Sequence, residues 1–208
     1  MTDPAALVCD FVNSYDVESG TDALPSPDAL AAWLRRRGLV EAEAVAGDEE
    51  LASAVDLREA LRAALRHHHG RRGDSDRGDS DRGDSGSGDP DGGPGGREGH
   101  GGLPPALPHA FDRLPVAVVL TPGGPVLEPV VPGVLGGLAR IAAAVMAVHA
   151  EGAWPRLKVC TESTCQWAFV DSSKNRSRSW CSMKVCGNRT KTRAYRARRQ
   201  TETGSRHL

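Results

Sequence analysis

The stretch CTESTCQWAFVDSSKNRSRSWCSMKVCGNR, residues 160–189, sets Cys160, Cys165, Cys181 and Cys186 in a C-x4-C-x15-C-x4-C array and holds four of the chain's five cysteines. The chain opens on Met1-Thr2-Asp3-Pro4, without the basic start and apolar run of a signal peptide, so a cytoplasmic protein with reduced thiols is expected. Paired cysteines in that setting read as metal ligands rather than disulfides. Four thiolates complete a tetrahedral shell, which points to one structural Zn2+ with no vacant position for catalysis. An iron–sulfur cluster is the other tetrathiolate option, but the cysteine runs of ferredoxins are missing here. A segment of this size buries little apolar surface by itself, so metal and fold are expected to form together.

Working outward, the charge is divided. Residues 151–208 carry 13 Lys+Arg against 4 Asp+Glu, whereas residues 1–150 carry 13 against 23. Such asymmetry suits an acidic partner for the C-terminal part, with attraction between the two halves as the plainer alternative. Between the cysteine pairs, Lys174, Arg176 and Arg178 lie in a polar stretch suited to presenting cations to phosphate. After the last cysteine, Asn188 is placed to cap a helix on which Arg189, Arg193 and Arg196 recur at i, i+4 and i+7, joined by Lys191 and by Arg199. The stripe has too few local carboxylates to be a salt-bridged face, and a polyanion is its natural counterpart. Trp154, Trp167, Phe169 and Trp180 surround the cysteines. Trp167 and Trp180 are expected to form a small core, with base stacking as the alternative role.

The first 150 residues read as one α+β unit. Asp3-Pro4 starts a helix with Leu7, Val8, Phe11 and Val12 on its apolar face, and Cys9 within it reads as a packed thiol. Asp10 and Asn13, three apart on that helix, are placed to line a small-molecule pocket or to be plain helix-end polar groups. Ser26-Pro27-Asp28 announces a second helix carrying Leu30, Trp33 and Leu34, stopped at Gly38. A third, about 48–68, repeats leucines near helical spacing while Glu59 and Arg62 face outward. Residues 70–102, of which 13 are glycine, repeat Arg-Gly-Asp-Ser-Asp and read as a disordered insert. Order resumes at Leu114 with a β-hairpin over 116–131 turning at Thr121-Pro122-Gly123-Gly124, then a helix to about Ala150 with Leu138 and Met146 in its core face. No apolar run is expected to approach membrane-spanning length, and no membrane partner is expected.

The run from Phe169-Val170-Asp171 through Trp180-Cys181-Ser182-Met183 to Cys186-Gly187-Asn188-Arg189 resembles the bacterial CGNR zinc finger over about residues 156–200. Asp10-Phe11-Val12-Asn13-Ser14 and Leu30-Ala31-Ala32-Trp33-Leu34 are similar to the opening of the ABATE domain that precedes such fingers. The resemblance implies a zinc-dependent, stress-linked transcription regulator that binds DNA. The boundaries expected are 1–150 for the ABATE-like domain and 154–200 for the finger. The N-terminal domain is then expected to sense a ligand or to form a homodimer. A second reading is an RNA- or protein-binding zinc module whose thiolates act as a redox switch. Neither reading is enzymatic: a nucleophile elbow, a phosphate loop and a paired-histidine metal motif are all missing from the sequence.

Overall fold

The computed structural model describes residues 3–75 and 106–204. The chain runs α1 (Pro4–Val12), β1 (Tyr15–Asp16), β2 (Thr21–Asp22), α2 (Pro27–Arg36), α3 (Asp48–Ser75), α4 (Ala106–Phe111), β3 (Val116–Thr121), β4 (Gly124–Pro129), α5 (Gly133–Ala150), β5 (Leu157–Val159), β6 (Ala168–Val170) and α6 (Asn188–Gly204). Three separate antiparallel ladders, β1–β2, β3–β4 and β5–β6, accompany the helices. The architecture is α+β, with a mainly helical N-terminal part and a small cysteine-bearing C-terminal part.

Local chemistry sets the helix ends. Asp3 accepts from the N–H of Ala5 (3.1 Å) and Pro4 stands in the first turn of α1. Ser26 Oγ accepts from the N–H of Ala29 (3.2 Å) at the start of α2. Beyond that helix Gly38 takes φ +66°, and the next N–H, that of Leu39, returns to the carbonyl of Leu34 (3.0 Å). Helix α5 crosses close to this corner: a Cβ on Gly137 would lie 2.5 Å from Val40 Cγ1, so only glycine permits the approach.

The core is continuous. Leu7, Val8, Phe11 and Val12 of α1, Leu30, Trp33 and Leu34 of α2, Leu57, Leu61 and Leu65 of α3, and Val134, Leu138, Ile141 and Val145 of α5 bury together. Phe11 meets Trp33 edge to face at 5.6 Å. Cys9 belongs to this cluster, and burial followed by the charges of Asp10 and Asp3 pushes its thiol up to about 12. Trp154, Leu157, Val159 and Ala168 are part of the same cluster, so the β5–β6 ladder of the cysteine segment packs directly onto the helices.

Several expectations are corrected. Helix α3 extends to Ser75, beyond the expected end near residue 68; the remainder of the anticipated insert, 76–102, lies outside the described residues. Arg62 does not face outward: it is buried, donating to the carbonyls of Val12 (2.7 Å) and Tyr15 (3.0 Å). Met146 is more than half exposed because α5 turns that edge away from the core. Contrary to expectation, α5 does reach membrane-span dimensions, with 18 residues of mean hydropathy 1.6; its apolarity is explained by its place at the centre of the core. The β1–β2 ladder and α4 were not anticipated, each being too short for a readable period.

Candidate metal centre and basic helix

Each ligand is positioned by its own turn. Cys160 follows β5 and its N–H donates to the carbonyl of Trp167 (2.9 Å), closing the first knuckle. At Cys165 the chain reverses: the N–H groups of Cys165 and Gln166 both return to Glu162, at 3.0 and 3.2 Å, and Gln166 takes φ +51°. The second knuckle is tied to the first by Thr161, whose N–H and hydroxyl each donate to the carbonyl of Ser179 at 3.0 Å. Ser182 Oγ then accepts from the N–H of Val185, opening a π-turn, Met183–Gly187, that carries Cys186 and runs directly into α6. Gly187 lies against the Met183 thioether and the Trp180 ring.

The four sulfurs lie within 4.8 Å of one another. Cys165–Cys181 and Cys181–Cys186 are each 3.7 Å apart. A tetrahedron built on a Zn–S bond of about 2.3 Å has edges of about 3.8 Å, whereas a disulfide would need about 2.05 Å. The donor set therefore fits a tetrahedral ion. Burial, followed by the neighbouring sulfurs, raises the thiols of Cys181 and Cys186, the latter to about 12. A divalent cation reverses that preference by stabilising the thiolates. Phe169 and Trp180 pack against the cluster, while Trp167 is exposed and is not the core residue expected.

Beneath the loop between the cysteine pairs lies a buried ion pair that spacing alone did not suggest. Lys158 Nζ donates to Asp171 Oδ2 (2.7 Å) and to the carbonyl of Arg178 (2.9 Å), with side-chain exposures of 3% and 0% for Lys158 and Asp171. Asp171 also accepts from the N–H groups of Ser173 and Arg178, each at 2.9 Å. Burial alone would raise its carboxyl pKa, but Lys158 and these donors hold it well below the usual carboxylate range. Of the loop cations, Lys174 is exposed. Arg176 takes φ +51° and is half-buried. Arg178 lies over the Phe169 ring at 5.0 Å and donates to the carbonyl of Cys181 (2.7 Å).

The cation stripe is not uniformly open to solvent. Arg189 pairs with Glu18 on the β1–β2 turn (2.8 Å), and Arg193 pairs with Glu162 (3.0 Å), whose carboxylate is 1% exposed. The Thr190 hydroxyl lies 3.0 Å from both Glu162 and the carbonyl of Cys186, fixing the first turn of α6 to the cysteine cluster. Burial opposes ionisation of Glu162, but Arg193 and Thr190 keep its carboxyl below the usual range. Local carboxylates are scarce along the stripe, yet two of its arginines are paired, with partners from elsewhere in the chain. Asn188 is also not a cap; it is helical, and its amide donates to the carbonyl of Lys184 (3.1 Å). Lys191 projects about 200° around the helix from Arg189 and is exposed, as are Arg196, Arg199 and two cations not singled out from sequence, Lys184 and Arg198.

Asp10 and Asn13 both have partners within the chain. Asp10 is exposed and meets Arg37 at 3.5 Å. Asn13 makes a two-way amide clamp to β6, donating to the Ala168 carbonyl (2.9 Å) and accepting from its N–H (2.7 Å). Arg62 adds a bond to the carbonyl of Gln166 (3.2 Å). Replacing Asn13 by Ala should leave two strand groups unpaired and lower stability by about 1–3 kcal/mol in urea unfolding, with unchanged zinc stoichiometry. Unchanged stability would show that the clamp is solvated rather than a true bond.

These features define a four-cysteine zinc finger bonded and packed onto a helical α+β domain. The sequence matches the CGNR zinc finger over residues 156–199 and, over residues 5–152, the ABATE family, described as "Putative stress-induced transcription regulator". The chain belongs to the ABATE family, and its four clustered cysteines hold a single structural zinc. No curated protein matches it.

Proposed function

We propose that this chain is a DNA-binding transcription regulator in which zinc fixes the start of α6 and the N-terminal domain, joined to the finger by a common core, senses a ligand or sets the oligomeric state. Its action is binding rather than catalysis. One observation carries the reading: the 17 residues of α6 hold five arginines and a lysine against Glu202 as the single acidic residue, and the first turn is anchored on the cysteine cluster. Beyond that turn Lys191 and Arg196 are exposed, with Lys174 on the adjoining finger. Arginine and lysine at such positions neutralise phosphates and release counterions.

Zinc-loaded protein titrated onto duplex DNA should lose affinity with salt at a log–log slope of about −0.9 per phosphate contacted. Lys191→Glu with Arg196→Glu should flatten that slope by about two and weaken binding at least about tenfold. Glu18→Gln should act oppositely, strengthening binding a few-fold by releasing Arg189 from its internal carboxylate. Salt-independent binding, or binding indifferent to the double substitution, would refute the assignment. Tighter binding to single-stranded RNA would favour the RNA module instead.

A further inference from the structure

The β3–β4 hairpin has one edge sealed and one edge open. The N–H of Val130 donates to the carbonyl of Pro115 (3.0 Å), which fixes the phase of the ladder. With Val116 opposite Pro129 and Thr121 opposite Gly124, residues 117, 119 and 121 exchange bonds with 128, 126 and 124. The peptide groups of Pro125, Leu127 and Pro129 therefore face the outer edge of β4, and those of Val116, Val118 and Leu120 the outer edge of β3. Two of the three outward positions on β4 are prolines without an N–H, and that strand also lies beside α5, where Pro129 Cβ approaches Gly136. The β3 edge carries no proline and no charge, the devices that ordinarily blunt an edge strand. Val118 is 67% exposed and Leu120 83%. Among the described residues β3 pairs with β4 alone, which leaves its outer edge open.

We infer that β3 is a self-association edge whose occupant is β3 of a second copy of this chain. Antiparallel pairing about a two-fold axis at Val118 sets Val118 against its own copy and Val116 against Leu120. Each of these outward-facing positions then exchanges backbone bonds across the axis. Such an arrangement sets the strand against itself, so a charge at the axis would meet its own copy, and Val116-Ala117-Val118-Val119-Leu120-Thr121 carries none. Pro115 and Pro122 bound the strand at both ends, limiting the pairing to a segment that matches itself in length. Joining the edges converts two marginal two-stranded ribbons into one four-stranded sheet. The inference rests on the hairpin and not on the DNA reading, and its test contains no nucleic acid.

Sedimentation velocity of the zinc-loaded full chain across a concentration series should show a monomer–dimer equilibrium. Val118→Pro removes the outward N–H at the axis without removing a β3–β4 bond. Val118→Lys sets like charges against each other there. Both should raise the dissociation constant at least tenfold, while helical circular dichroism and zinc content stay at wild-type values. Glu128→Lys, on the opposite strand, should leave dimerisation unchanged. Should the proline variant fail to fold, the lysine variant carries the test. The inference is overturned by a wild-type chain that stays monomeric at every concentration, or by a dimer that persists in the lysine variant. A monomer whose Val118 amide is protected from hydrogen exchange would also overturn it, because the edge would then be covered by the chain itself.

Discussion

Chelating the zinc, or replacing Cys186 by Ser, should unfold the segment from the first knuckle into α6 and lower the thermal stability of the helical domain with it. Cys186 is buried in the π-turn that becomes α6, and Thr190 hydrogen-bonds the Cys186 carbonyl, so losing this ligand releases the basic helix at its root. Structural zinc contributes about 10–16 kcal/mol of apparent binding energy in finger peptides, more than a segment with three buried cysteines and a few half-buried aromatics can replace. The effect should not stop there. Leu157, Val159 and Ala168 are in the main core, and Asn13 and Arg62 bond the knuckle, so a disordered finger strips one side of the N-terminal helices. With about 2–4 °C of melting temperature per kcal/mol for a chain of this size, the loss should be plain in a thermal scan with and without chelator. The companion measurement is amide dispersion in NMR spectra, which should collapse for residues 160–199 and shift for Asn13. A metal-free chain that keeps its finger dispersion and its melting temperature would refute the structural role of the ion.

What the sequence discloses and what it hides divide along the distance between interacting residues. The ligand set was legible because four cysteines at fixed spacing leave few chemical alternatives. Helices α1 and α2 were legible because Asp3-Pro4, Ser26 and Gly38 act on groups within a few residues of themselves. Non-local contacts were not legible. Asn13 reads as a helix-end polar residue until β6 is set beside it, and its bond to Ala168 spans 155 residues. Arg62 sits at a position that helical spacing assigns to solvent, yet the carbonyls at the end of α1 and at Gln166 satisfy its guanidinium in the interior. Arg189 and Arg193 looked unpaired because Glu18 and Glu162 approach from other parts of the chain. Lys158 lies in a three-residue strand, too short for alternation to show which way its side chain turns.

That lysine and its partner support a prediction as sharp as the metal's. Removing one member of a buried ion pair leaves the other charged and unmatched, at a cost of about 3–5 kcal/mol. Asp171→Asn should therefore destabilise the finger by that order at neutral pH. It also loosens the Lys174–Arg178 loop, because Arg178 donates its N–H to the same carboxylate. Lys158→Met with Asp171→Leu should recover part of the loss, since no buried charge then remains, which a double-mutant cycle measures directly. The pH dependence separates this pair from the zinc ligands. The carboxyl of Asp171 is held below its unfolded value of about 3.9, so its contribution is fully present above that value and is lost as pH falls through the folded one. The stability difference between wild type and Asp171→Asn should accordingly be constant from about pH 7 to pH 5 and should shrink only below about pH 4. Zinc release by thiolate protonation affects both proteins and cancels in that difference while metal remains bound. A difference that grows in acid, or that is near zero at neutral pH, would mean that the pair is solvated and the loop is held by its backbone bonds alone.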